Sequence, residues 1–137
     1  MSGITDKTTD ALGASLDFRL LRHNVTAANI ANAETPNYKA KKVDFEEALS
    51  RALDHEGLGK MATSDPEHLL MGQGPIAKAR AEVYENPDAN LANDGNTVDM
   101  ERELSNLAEN SILYKAALQL INKKLASLKY AVSEGGR

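Results

Sequence analysis

Two long stretches of this chain repeat their apolar residues with the period of an α-helix, and the segment between them does not. From Leu12 onward, Leu16, Leu20, His23, Ala27 and Ile30 follow a 4-3-4-3 spacing that places them on one helical stripe. The spacing predicts a helix over about residues 9–33, roughly 37 Å long at ~1.5 Å per residue. Toward the other end, Leu104, Leu107, Ser111, Tyr114, Leu118, Ile121, Leu125, Leu128 and Val132 recur as a and d positions through four heptads. That pattern predicts a second helix over residues 98–133 with a coiled-coil-like seam, reaching roughly 52 Å. Thr97 is its expected cap. Asp99, Glu101 and Glu103 suit the positive end of its dipole, and Lys123, Lys124 and Lys129 gather toward the negative end. A narrow apolar stripe needs another helix to cover it, and each of these helices is the natural mate of the other. The expected fold is therefore mainly α: long N- and C-terminal helices pairing as an antiparallel coiled-coil-like hairpin, with an irregular middle, in one domain over residues 1–137.

The exit from the first helix is marked by its polar residues. Ala27, Ala28, Ala31 and Ala33 favour helix, whereas Asn24, Asn29 and Asn32 compete with the backbone for hydrogen bonds. Pro36 lacks an N–H and drives Thr35 out of the helical region, so the helix is expected to stop at about Glu34. Asn37 tolerates a left-handed turn, and Tyr38 follows as an anchor. After the turn, Asp44-Phe45-Glu46-Glu47 reads as a helix start with Asp44 as cap and Glu47 three residues on. Phe45, Leu49 and Leu53 fall on one face of the two or three turns that follow. Residues 57–97 hold three of the four prolines and five of the nine glycines, the least regular part of the chain. Within them, Ser64-Asp65-Pro66-Glu67 predicts a short helical turn. Ala77, Ala79, Ala81 and Val83 alternate as a short strand or as extended chain, and Asn86-Pro87-Asp88 and Asn93-Asp94-Gly95-Asn96 are turns. Neighbours, more than a core of its own, are expected to order this arm.

Two segments carry a resemblance. Asn29-Ile30-Ala31-Asn32-Ala33-Glu34-Thr35-Pro36-Asn37-Tyr38 resembles the N-terminal signature of the bacterial flagellar rod and hook proteins. One departure is Asn37, where that family usually has glycine; both residues reach positive φ, so the same turn is expected. Asp94-Gly95-Asn96-Thr97-Val98-Asp99-Met100-Glu101, with Ala108-Glu109-Asn110 and Tyr114, is similar to the proximal rod proteins within that family. The segments 40–49 and 65–69 are also similar, so the likeness runs from about Leu16 to Val132.

The resemblance implies a non-enzymatic structural component of the flagellar basal-body rod that self- and co-assembles into the drive shaft. It implies an assembly seam of Leu16, Leu20, Ala27 and Ile30 against Leu118, Ile121, Leu125 and Leu128. It also singles out the rod-family residues Asn29, Asn32, Thr35, Pro36 and Tyr38, whose polar side chains bond either between subunits or locally within one. The implied partners are other flagellar rod subunits in a homo- and hetero-oligomer, the rod adapter near the membrane ring, and the flagellar export apparatus. Phe45 and Leu49 fit a Phe-x-x-x-hydrophobic export signal, and the same residues also suit simple packing. The implied location is the periplasmic rod, reached through the flagellar type III apparatus.

Composition narrows the alternatives. A net charge of -4 with neither sign in a long block argues against nucleic acid or an anionic membrane as main partner. With no cysteine there is no thiol chemistry, and no run approaches the ~18 apolar residues that span a bilayer. The first ten residues lack the basic start and apolar run of a cleaved secretory signal, which by itself reads as cytoplasmic. His23, His55 and His68 lack metal-ligand spacing, and no phosphate loop or nucleophile turn is present, so no catalytic residue, cofactor or metal is expected. Asn90, Asp94, Gly95 and Glu101 fit four positions of a calcium loop, but Ala92, Val98 and Pro87 break it. A soluble two-helix coiled-coil adaptor or regulatory protein is the alternative of another class; it accounts for the heptads and leaves the Asn-rich exit unexplained.

Overall fold

The computed structural model describes residues 7–57, 76, 79–87 and 92–134 of the chain. Their order is α1 (Lys7–Ala31), β1 (Lys41–Asp44), α2 (Glu46–Gly57), β2 (Glu82–Glu85) and α3 (Met100–Glu134). The expected Asp65-Pro66 turn and His68 lie outside the described residues, as do Asn90 and the side chain of His55.

The two long helices pair with each other, and they run antiparallel: Asn29 near the end of α1 meets Glu103 at the start of α3, while Arg19 meets Asn110. At 35 residues, α3 is roughly 52 Å long, as the heptads predict. α1 ends at Ala31, about three residues before the expected stop, where the backbone tightens into three-residue turns, Ala33 N–H to Ile30 C=O at 3.2 Å and Thr35 N–H to Asn32 C=O at 3.0 Å. Asn32 donates both its N–H, at 3.1 Å, and its side-chain amide, at 2.8 Å, to Ala28 C=O at this end.

Two expected caps are corrected. The N-cap of α3 is Asp99, whose Oδ1 accepts the Arg102 N–H at 3.1 Å, whereas Thr97 spends its hydroxyl on the Ala40 N–H at 2.8 Å. At the start of α2, Asp44 does not cap. It belongs to β1, where its carboxylate takes the Tyr84 hydroxyl and lies 3.8 Å from Lys42; Phe45 C=O instead accepts the first helical bond, from Leu49 at 2.8 Å. The strand in β1 is a further difference, since Lys41-Lys42-Val43-Asp44 carries little strand signal of its own. β1 pairs antiparallel with β2, Lys41 opposite Glu85 through Asp44 opposite Glu82. Of the expected alternating run, Ala77 lies outside the described residues, residues 79–81 are not strand, and β2 starts at Glu82, where Val83 and Tyr84 replace the alanines.

The compact apolar centre lies where this ribbon and α2 meet α1. Val43 and Phe45 are fully buried there, and the Phe18 and Phe45 rings lie 5.3 Å apart. Between the long helices, burial falls on Glu103, Asn110 and Ala117, flanked by half-buried Leu107, Tyr114, Ile121 and Leu128. That seam shares one of its two rows with the sequence pattern and is displaced by one residue in the other. Leu104, Leu118, Leu125 and Val132 consequently stand outward. The cause is polar: Glu103 and Asn110 make cross-helix bonds, which set the rotation of α3.

Candidate functional site

Asn29 is 0% exposed and fully hydrogen-bonded. Its Nδ2 donates to Lys41 C=O at 2.7 Å and to Glu103 Oε2 at 3.1 Å. Its Oδ1 accepts the Lys41 N–H at 3.0 Å and the Tyr38 hydroxyl at 3.3 Å. One amide, with all four of its hydrogen-bonding positions used, therefore ties α1 to β1 and to α3. A residue that is poor in a helix interior is retained here because it serves three elements at once.

Asn96 does the same for the turn that follows. Its side chain is buried, and Nδ2 approaches the carbonyls of Asn32, Ala33 and Thr35 at 2.9, 2.9 and 2.8 Å. Those carbonyls are exposed to loss of partners by the end of α1, and one donor from a distant loop covers them. Asn96 Oδ1 in turn accepts the Val98 N–H at 2.7 Å. Beside it, Asn37 sits at φ 60°, the left-handed turn expected from its place in the segment, and its N–H donates to Asp94 C=O at 3.0 Å. Gly95 has φ 79°, and a Cβ there would collide with the Asn37 side chain. Thr35 donates its hydroxyl to Asn32 Oδ1 at 3.2 Å, and Pro36 is exposed. The two sequence segments that carry the resemblance thus fold into one polar junction. Asn29, Asn32, Thr35 and Tyr38 all find side-chain partners within a single chain.

Arg22 anchors the neighbouring ribbon. Its guanidinium donates to Val43 C=O at 3.1 and 2.8 Å, forks onto both oxygens of Glu46 at 2.6 and 2.7 Å, and lies 4.4 Å over the Phe45 ring. Partial burial pushes the Glu46 carboxyl up, but the Arg22 bonds, the Glu46 and Phe45 N–H groups and the Arg22 charge together outweigh it. The net pKa lies below its ordinary value of 4.5.

The helix pair has one covered side and one bare side. On the covered side, a polar groove of about 360 Å³ runs between α1, β1 and α3, bordered by Arg22, Lys41, Glu46, Arg102, Glu103 and Asn110. On the bare side, Leu20 and His23 of α1 with Ser111, Tyr114 and Lys115 of α3 line a shallower groove of about 240 Å³. Leu104, Leu118 and Leu125 stand at seven-residue steps from Ser111, so they continue the same edge, and Ala27 does so from Leu20. Of the expected seam residues, Leu16, Ile30, Ile121 and Leu128 are half-buried in one chain, while Leu20, Ala27, Leu118 and Leu125 are exposed. The antiparallel register also separates some of them: Ile30 lies level with the start of α3, roughly 20 Å along the helix from Leu118. Phe45 is buried and Leu49 half-buried, both packing within the chain. Arg22, Asn96 and Glu103 were not singled out from sequence as site residues. In the sequence Glu103 reads as a charge suited to the helix dipole and Asn96 as one member of a turn cluster, while Arg22 carries no signal of its own.

Among the described residues no group of three or more His, Cys, Asp or Glu side chains converges as a metal site. No described helix is long and apolar enough to cross a membrane.

Comparison with known proteins bears on the same segment. A family described as "Flagella basal body rod protein" matches residues 19–39, the stretch that holds Arg22, Asn29, Asn32 and Asn37. Over most of its length the chain is similar to proteins named "Flagellar basal body rod protein FlgB". It is 39% identical to that of Cereibacter sphaeroides over 126 residues, covering 90% of this chain and 94% of the relative. It is 36% identical to that of Aeromonas hydrophila, with 86% of each chain covered. The Salmonella typhimurium protein is 35% identical, with 88% of this chain and 89% of the relative covered.

Proposed function

Because this chain belongs to the FlgB family of flagellar basal body rod proteins and is a structural component of that rod, we propose that it builds the proximal, membrane-near end of the shaft through its bare helical face. Assembly with other rod components follows from the family; contact with the adapter near the membrane ring and with the export apparatus is part of this reading. The adaptor alternative is not favoured by relatives that are rod proteins along nearly their whole length.

The observation that carries the proposal is the outward edge formed by Leu20, Leu104, Leu118 and Leu125, which one chain leaves 39–50% exposed. Burying such residues between subunits contributes ~25 cal/mol for each Å² of apolar surface. The two helices supply the inner layer, and identical contacts that do not close into a ring extend it as a helical tube. The seam is Leu16, Leu20, Ala27 and Ile30 with Leu118, Ile121, Leu125 and Leu128, used between copies as well as within one. Asn29, Asn32, Thr35, Pro36 and Tyr38 hold the hairpin in the shape that presents this edge. The role is non-enzymatic and the chain acts as one domain over residues 1–137. It reaches the periplasmic rod through the flagellar export apparatus, and Phe45 with Leu49 is read there while the chain is unfolded.

Deletion of the gene followed by electron tomography of intact cells tests the position. Loss of the rod with the membrane ring retained is the expected result; an intact rod and hook would overturn it.

A further inference from the structure

The ribbon of β1 and β2 has one sealed edge and one open edge. The Asn86 N–H donates to Ala40 C=O at 2.8 Å, and together with the register this fixes the phase of the ladder. Lys42 with Tyr84 and Asp44 with Glu82 are then the pairs that exchange hydrogen bonds. Lys41, Val43, Val83 and Glu85 point their N–H and C=O groups away from the partner strand. On the β1 side those groups are taken up by α1: Asn29 bonds both the N–H and the C=O of Lys41, and Arg22 bonds the C=O of Val43. On the β2 side, the backbone groups of Val83 and Glu85 have no partner among the described residues, and the sheet is two-stranded. Val83 itself is 45% exposed although Val43 opposite it is 2% exposed. An apolar side chain and four backbone groups are therefore presented together at one strand edge, the geometry to which an added strand binds.

Charge selects the strand that fits. Glu82 and Glu85 stand at either end of this edge, and both are exposed. A second copy of β2 laid against it antiparallel would crowd four carboxylates, Glu82 and Glu85 from each copy, along one seam with no basic residue of β2 to offset them. A strand with basic residues at its ends and an apolar residue between them meets the opposite condition at each position. We infer that the outer edge of β2 accepts, as a third strand, an extended segment of a partner protein in which basic residues flank an apolar centre. Main-chain bonds to Val83 and Glu85 hold it, a side chain covering Val83 extends the buried patch over Val43, and Glu82 and Glu85 select its charge. This site lies on the ribbon, away from the exposed leucines of the helix pair, so it stands or falls separately from the proposed seam.

The test is amide hydrogen exchange on the full chain, titrated with a blocked synthetic peptide whose core is Lys-Val-Val-Lys. Exchange at Val83 and Glu85 is expected to slow by about tenfold when roughly nine-tenths of the chain is bound, while Lys42 and Tyr84, already bonded in the ribbon, change little. A Glu-Val-Val-Glu peptide is expected to have no effect on the native chain, and the double variant Glu82→Lys, Glu85→Lys is expected to reverse the preference. Unchanged exchange at Val83 and Glu85 would overturn the inference. So would equal binding of a peptide N-methylated at both valines, which would show charge adsorption without strand addition. Fast exchange at Lys42 and Tyr84 before any peptide is added would also overturn it, because no preformed edge would then exist.

Discussion

Asn29 and Glu103 meet with Nδ2 and Oε2 3.1 Å apart although 74 residues separate them in the chain. Both are buried, and the same Asn29 amide also holds β1, so the closure of the helical hairpin and the seating of the ribbon depend on one side chain. Replacing Asn29 with Ala strands the Lys41 N–H and C=O and the Glu103 carboxylate together. At roughly 1–3 kcal/mol for a buried polar group left unpaired, the variant is expected to lose at least about 2 kcal/mol in urea denaturation.

Asn96 makes a sharper prediction, because its donor faces three carbonyl oxygens. Asn96→Asp is nearly identical in shape but presents oxygen where the structure needs N–H. The Asp variant is therefore expected to be less stable than Asn96→Ala, by about 1 kcal/mol or more at neutral pH. Equal stability of the two variants would mean that the three bonds contribute little.

Gly95 and Asn37 form a coupled pair. Gly95→Ala places a methyl group at positive φ and against the Asn37 side chain, with an expected cost of about 1–2 kcal/mol. Asn37→Gly alone is expected to be nearly neutral. Combined, the two changes should cost less than Gly95→Ala alone, since the collision is removed and only the backbone penalty is left. A double-mutant cycle from thermal denaturation reads this coupling directly.

The Arg22–Glu46 pair sets an acid limit. Because the folded state holds the Glu46 pKa below 4.5, the unfolded chain takes up its proton first as pH falls. The contribution of the pair is thus fully present above the unfolded value and is lost as pH drops through the lower, folded value. Native protein is expected to be more stable than Glu46→Gln at neutral pH, with the difference shrinking below pH 4.5 in parallel denaturation curves.

Leu118 and Ile121 separate assembly from folding. Leu118 is exposed in one chain, so Leu118→Asp is expected to change monomer stability by no more than about 0.5 kcal/mol while abolishing rod assembly and swimming in soft agar. Ile121, half-buried in the helix pair, is expected to lose both on conversion to Asp, with reduced helical signal in circular dichroism. Normal motility with Leu118→Asp would remove this edge from the interface.

The long helices and their pairing were legible because apolar periodicity over four heptads survives any local detail. Their rotation was not: the pattern reads Leu104, Leu118 and Leu125 as inward, and only the cross-helix bonds of Glu103 and Asn110 reveal which side is turned in. The positive-φ turn at Asn37 could be read from the residue and its place before Tyr38. Asn96, in contrast, looked like one more polar residue in a loop, because its three acceptors lie 61–64 residues away in sequence. β1 was hidden for a similar reason. Lys41-Lys42-Val43-Asp44 has little strand propensity, and its pairing and edge bonds come from β2, Asn29 and Arg22.

The distance along the chain between the partners of the polar junction has a kinetic meaning. A polypeptide delivered N-terminus first, from a ribosome or through a narrow channel, releases Asn29 and Asn32 long before Asn96, Glu103 and Asn110. Until those arrive, the turn after α1 lacks the Asn96 donor and Asn29 lacks Glu103, and α1 has no mate. Contacts of such high sequence separation slow folding, since loop closure precedes any gain. The hairpin therefore closes fully only after Asn110 is free.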